Sequence, residues 1–379
     1  MAEYDLLVTN GTVVDPSQSL NGRRDVAFVD RKVAAVERSI AESSADEVLD
    51  ASDMIVAPGL VDLHVHVYWG VGHYGIEPDP TQVAQGVTTA VDAGSAGAWT
   101  FPAFRRYVIE RSATRLYALL NISSMGMISP KIGELEDLRW ADVEEAVAAG
   151  RLNRDRILGI KVRLSRPLAA DHDVAALKRA IEAAEALDSF VMIHVGNTRT
   201  PMEELVALLR PGDVVTHAYH GNDHGVLDDA GRVLSGIVEA QNRGVVFDIG
   251  HGAGSFSFDV AERALSHGFV PGNISSDLHV HNIAGPVHNQ LETLSKFLHL
   301  GLSLDEVIRL STSSTAAIIG DGGSLGTLRP GAEGDAVVAR LAEGKFKFTD
   351  SKGVSVEGAQ RLEHVATVKA GRLYHPYLG

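Results

Sequence analysis

Ala57-Pro-Gly-Leu-Val-Asp-Leu-His-Val-His66 is short, apolar and alternates with period two, the pattern of a buried strand. Residues i and i+2 of a strand point to one face. His64 and His66 therefore leave it together near its C-terminal end, while Val65 faces the other way. Two convergent neutral imidazoles suit a transition metal. A pair of hydrogen-bonded core histidines would show the same spacing, so the rest of the chain has to decide between the two.

Outward from this stretch, the middle of the chain alternates strand and helix, the signature of a parallel α/β fold. Eight strand candidates stand out: Leu60–His66, Val87–Asp92, Arg115–Asn121, Ile157–Arg163, Phe190–Val195, Val214–His217, Val245–Ile249 and Asn273–Asp277. Helical patterns lie between most of them. Asp173–Leu187 repeats apolar residues at helical spacing, and Leu304–Ile319 opens on the capping-box pattern Ser303-Leu-Asp-Glu306. Eight such units in about 260 residues match a (β/α)8 TIM barrel, with a doubly wound open sheet as the second choice. Both ends of the chain read as short strands. Tyr4–Val14 carries a strand, an Asn10-Gly11 turn and another strand, and Asp25–Val36 repeats the pattern around Asp30-Arg31-Lys32. Asp335–Arg340, Phe346–Thr349 and His364–Tyr374 are strand candidates at the other end. Neither end alone buries a core. They are expected to pair as one small β-sandwich domain, residues 1–56 with 327–379, around an inserted barrel of residues 57–326.

The 379 residues include 34 Lys plus Arg against 49 Asp plus Glu, a net charge of −15 that argues against a nucleic-acid or anionic-membrane binder. No apolar run approaches a transmembrane span, and the start lacks the basic-then-apolar pattern of a secretory signal. A cytoplasmic enzyme is expected. The absence of cysteine removes disulfides, thiolate metal sites and thiol nucleophiles together.

In a barrel the active site lies at the C-terminal ends of the strands. The first strand ends in His64 and His66, and the fourth carries Lys161 in Ile157-Leu-Gly-Ile-Lys-Val-Arg163. The fifth, sixth and eighth end in His194, His217 and Asp277. A lone histidine at a strand end is more often a hydrogen-bonded neighbour than a ligand, and a lone aspartate can cap a helix. A lysine on the inner face of an apolar strand is harder to dismiss, because a buried cation is costly. Six such groups at one end of five strands satisfy the needs of a two-metal site.

This pattern resembles that of the amidohydrolase superfamily, in its binuclear, dihydroorotase-like branch. The resemblance covers the whole chain, including the closing segment Gly326–Asp335. Gly159-Ile-Lys-Val-Arg163, Asp248-Ile-Gly-His-Gly-Ala-Gly-Ser-Phe256 and Ser276-Asp277 resemble a deacetylase subgroup, whose members hydrolyse N-acetyl amino acids or O-acetyl α-hydroxy acids. The resemblance implies that His64, His66 and Asp277 bind the more buried of two divalent metals and that His194 and His217 bind the other. It implies a carbamate on Lys161, formed with CO2, bridging both. A free lysine near pKa ~10.4 would repel two cations, whereas its carbamate is an anionic ligand. Zinc is the first choice for an imidazole-rich set; manganese, iron or cobalt fit the same ligands. A metal-bridging hydroxide would then attack an amide or ester carbonyl, with Asp277 as catalytic general base.

The expected substrate is a small molecule with an acyl group and a carboxylate. Tyr68, Arg163, His220, His251, His279 and His281 are candidate contacts, with His73, Tyr74, His224 and His288 ranked below them. The glycine loop Gly250–Gly254 lacks the lysine and hydroxyl of a phosphate cradle. A dihydroorotase carries an arginine where this chain has Tyr68, which disfavours cyclic ureide carboxylates unless Arg163 substitutes. The cyclic amide hydrolases remain the alternative, followed by a non-catalytic scaffold. An adenine deaminase would leave Lys161 unexplained. The oligomeric state, a homo-oligomer included, is open.

Overall fold

The computed structural model describes residues 2–375, so Met1 and residues 376–379 of the expected terminal domain lie outside the described residues. Strands β1 (Tyr4–Asp15), β2 (Leu20–Val29), β3 (Lys32–Glu37), β4 (Ala45–Asp50) and β5 (Ile55–Pro58) come first. A parallel series follows: β6 (Leu60–Val65), β7 (Val87–Gly97), β8 (Arg115–Asn121), β9 (Ile157–Arg163), β10 (Phe190–His194), β11 (Val214–Thr216) and β12 (Val246–Phe247). The last strands are β13 (Ala336–Thr349), β14 (Ser355–Lys369) and β15 (Arg372–Leu373).

Strands from both ends of the chain form one sheet in the order β15-β14-β13-β5-β1-β2-β3, with β4 paired to β1. Leu6, Val8, Phe28, Val56, Val338 and Val368 share its apolar core. The strands belong to this single sheet, whereas a sandwich needs two. Asn10-Gly11 is not a hairpin turn. It is a bulge inside a continuous β1, with Asn10 at φ 65°. A side chain at position 11 would lie 2.5 Å from Val56 Cγ2, which is why glycine stands there. The tight turn is at Asp30-Arg31, both with positive φ, between β2 and β3.

The parallel sheet runs β6-β7-β8-β9-β10-β11-β12 without reversal, so the doubly wound order, which reverses at mid-sheet, is excluded. Asn273–Asp277 is not a regular strand. Asn273 bridges Asp248 beyond β12, and Leu278 bridges Val65 of β6, both in parallel. One segment thus joins the two edges of the sheet. It is irregular because Ser276 N–H donates to Asp62 Oδ1 (3.1 Å) instead of a strand carbonyl and because Asp277 turns left-handed at φ 48°. The helix Asp173–Ala186 buries Leu177 and Ala184 of the expected apolar positions, while Val174 and Ile181 are half-buried. The expected helix Leu304–Ile319 keeps its capping box but breaks at Thr312 into Leu304–Leu310 and Ser313–Ile318. The carbonyl of Ser311 at this break accepts from Val61 N–H (2.8 Å), tying it to β6. Among the described residues no helix is long and apolar enough to cross a membrane.

Candidate metal centre

His64, His66, Lys161, His194, His217 and Asp277 line one cavity of about 130 Å³ at the C-terminal ends of the parallel strands. His64 Nε2 and His66 Nε2 each lie 3.3 Å from Asp277 Oδ1. His217 Nε2 lies 2.8 Å from His194 Nδ1. Lys161 is fully buried, its Nζ 3.3 Å from Met192 Sδ, and burial lowers its pKa to about 7. Burial, reinforced by the positive charge of Lys161 for His64 and of Arg163 for His66, holds both well below the usual histidine range. His194 is held down by burial and by His217. Burial lowers His217 to about 3.

The outer hydrogen bonds fix which nitrogen carries the proton in three of the neutral rings. Thr216 Oγ1 donates to Asp248 Oδ2 (2.6 Å), so it accepts from His64 Nδ1 (2.8 Å). Ser95, whose N–H donates to Asp92 Oδ1 (2.7 Å), places its hydroxyl 2.9 Å from His66 Nδ1. Ser165 Oγ donates to Gly196 O (2.6 Å), so it accepts from His194 Nε2 (2.9 Å). Gly250 O can only accept, and it takes the proton of His217 Nδ1 (2.6 Å). His64, His194 and His217 therefore turn a bare lone pair inward. Asp277 Oδ1, buried with no hydrogen-bond partner, faces His64 Nε2 and His66 Nε2. Lone pairs at such distances repel unless a cation lies among them. His64, His217 and Asp277 alone place one donor atom each within 4.8 Å of the others, a group able to hold a metal ion. The donor set thus fits a divalent metal.

Three further carboxylates brace the centre. Asp62, pushed up to about 7 by burial, accepts from His64 N–H and Ser276 N–H. Asp92, pushed up to about 6 by burial, accepts from Val67 and Ser95 N–H. Asp248 accepts from Thr216, Ser275 and Asn273. Gly94 sits at φ 90° on β7, and an added Cβ would lie 2.6 Å from Lys161 Cβ. Gly94→Ala is expected to cost about 2 kcal/mol through strain and overpacking. Thermal melting should show a Tm several degrees lower, and an unchanged Tm would refute this close packing.

No family model matches the chain. It is 34% identical to a deacetylase of Agrobacterium fabrum over 86% of this chain and 80% of that protein. With a deacetylase of Enterococcus faecalis it shares 32% identity over 98% of this chain and 99% of that protein. Two crystal structures, one described as an adenine deaminase and one as a dihydroorotase, superpose with TM-scores of 0.91 and 0.89. Both are 32% identical and cover 98% of this chain and 99% of theirs. The chain belongs to the amidohydrolase superfamily. Within it the relatives place the chain in the dihydroorotase-like branch, with the deacetylase subgroup, and make it an amidohydrolase enzyme.

In this amidohydrolase the cavity is completed by Tyr74, Arg163, Ala253, Gly254, Ser255 and His279. Arg163 donates to buried Glu134 (2.5 Å) and lies 5.4 Å from the centroid of the Tyr74 ring. His279 stacks on Tyr74 at 4.3 Å, and His281 meets the same ring edge-on at the exposed rim. Tyr68 does not face the cavity: its hydroxyl donates to Thr100 O (3.0 Å) and its ring packs on Phe104. The strand has ended at Val65, so alternation no longer governs Tyr68, and Tyr74 stands in the cavity instead. His251 is also turned away, stacked on Phe256 and bonded to Lys296 (2.8 Å). His220 and His224 line a separate hollow with Ser257 and Asp259. His73 packs beside Tyr74 and His288 is exposed. Sequence reasoning missed Glu134, Met192 and the hydroxyls of Ser95, Ser165 and Thr216. Asp62 carried a signal, since it precedes His64 and His66 on the same strand face.

Proposed function

We propose that this protein is a binuclear metal-dependent deacetylase that releases acetate from N-acetyl amino acids or O-acetyl α-hydroxy acids. The observation that carries the reading is the unpartnered Oδ1 of Asp277 facing His64 Nε2 and His66 Nε2 at 3.3 Å, in one cavity with the facing nitrogens of His194 and His217 and with Lys161. His64, His66 and Asp277 would hold one divalent ion, His194 and His217 the other, and Lys161 as a carbamate would bridge them, with zinc the first choice. When bound, the metals supply an activated water and polarise the substrate carbonyl. Oδ1 of Asp277 is turned toward His64 and His66, which leaves Oδ2 to take the proton of the attacking water and return it to the leaving amine or alkoxide. Arg163, neutralised on one side by Glu134, keeps further N–H groups for the substrate carboxylate. His279 and Tyr74 would flank the substrate and His281 would meet it at the rim.

We also infer that the parallel sheet closes as a (β/α)8 barrel through residues 273–278, that residues 57–326 are the catalytic unit supported by 1–56 and 327–379, and that the enzyme works in the cytoplasm. The parallel bridges on both sides of the closing segment support the barrel reading. The test is a panel of N-acetyl amino acids, acetyl hydroxy acids, dihydroorotate and hydantoins with metal-loaded protein. Acetate release is expected, and ring opening of dihydroorotate without acetate release would overturn the assignment.

A further inference from the structure

One wall of the cavity is the loop bearing Ala253, Gly254 and Ser255. Among the described residues their backbone N–H groups donate to no backbone acceptor, which leaves three donors uncommitted on a wall of the cavity that Arg163 also lines. What holds this loop comes from outside the parallel sheet. The turn Asp350–Gly353 between β13 and β14 reaches onto it. Ser351 Oγ donates to Gly252 O (2.9 Å) and accepts from Phe256 N–H (3.2 Å), and Ser351 N–H donates to Phe256 O (3.1 Å). One residue thus bonds both arms of the loop. Asp350 Oδ2 accepts from Phe258 N–H (3.1 Å), where the helix Phe258–Ser266 begins without a side-chain cap of its own. Asp350 Oδ1 closes its own turn through Lys352 and Val354 N–H. Lys296, fully buried, spends its ammonium donors on His251 Nε2, Pro286 O and Thr349 O at 2.7–2.8 Å, joining the loop to the end of β13.

We propose that the β13–β14 turn is part of the substrate site and that Ser351 is a positioning residue. Acting through the backbone of Gly252 and Phe256, it sets the Ala253–Ser255 donors where the substrate carboxylate docks. The inference rests on the deacetylase reading above. It predicts a separation that loss of global structure would not give, because Ser351 bonds none of the proposed metal ligands directly.

The test compares S351A and S351T with the wild-type holoenzyme. S351A removes the hydroxyl that bonds both arms, and one such bond corresponds to about tenfold in binding. Amide exchange of Gly252 and Phe256, read without substrate, is expected to quicken about tenfold. KM for the best acetylated substrate should rise about tenfold with kcat within about twofold and metal content unchanged. S351T keeps the hydroxyl and should restore both values. Unchanged exchange in S351A, faster exchange with unchanged KM, or a raised KM that persists in S351T would overturn the proposal. A wild-type enzyme that releases no acetate would refute the deacetylase reading, and with it the carboxylate assigned to this loop. The exchange measurement tells the two failures apart.

Discussion

Asp277→Asn is expected to lower kcat by about 10³-fold while both metals stay bound, since general acid–base catalysis typically contributes 10²–10⁴-fold. The amide keeps an oxygen for the metal but cannot take a proton from water. The backbone has little reason to move. Asp277 sits at φ 48°, a left-handed conformation that asparagine tolerates, and its carbonyl stays held by Asn282 Nδ2 (2.7 Å). Steady-state kinetics with metal analysis on the same sample would check this. A kcat near wild type with full metal content would remove Asp277 from the proton path.

Lys161→Met should have the larger structural effect on the centre. The side chain is isosteric enough to fill a fully buried space, yet it offers no anion to two cations. Metal content is expected to fall to one equivalent or less, and activity to the background of the assay. The lysine itself is poised for the modification. Burial drops its pKa to about 7, far below the ~10.4 of an unfolded chain. The neutral amine that can attack CO2 therefore predominates above about pH 7 and is lost as pH falls through that value. Forming the N–C bond releases a proton and turns a neutral amine into an anion. Reconstitution of metal-free protein with metal and bicarbonate should accordingly be faster at pH 8 than at pH 6. Labelled bicarbonate should give a carbamate carbon signal in the holoenzyme. Two bound metals and full activity in Lys161→Met, or no carbamate signal in active wild type, would sink the bridging role.

The convergence of His64, His66, Lys161, His194, His217 and Asp277 on one cavity was legible because they lie in or directly after short apolar segments, where alternation and strand direction place them. The limits of that logic are visible in Tyr68, which lies beyond the last paired residue of β6. His251 was misread for a different reason: its partner Lys296 comes from a helix 45 residues away, and no local pattern announces it. The hydroxyls of Thr216, Ser95 and Ser165, which meet the histidine rings, are similarly set by tertiary packing. The closing segment looked like a strand from its composition. Its backbone donor at Ser276 goes to Asp62, 214 residues earlier, and that competition is decided only in the folded chain. In the terminal sheet, Asn10-Gly11 carried the chemistry of a turn, but pairing with β2 on both sides made it a bulge.

That same bond between Asp62 and Ser276 sets a schedule for biosynthesis. The histidine pair is translated early, while the aspartate that faces it and the segment that closes the sheet emerge more than 200 residues later. At a usual elongation rate of about 5–20 residues per second this delay lasts on the order of ten seconds or more. Until then His64 and His66 lack the carboxylate that faces them, although His194 and His217 are already made. On the metal-centre reading proposed above, ion loading would be completed late, once the segment carrying Asp277 has been made and has bridged to β6.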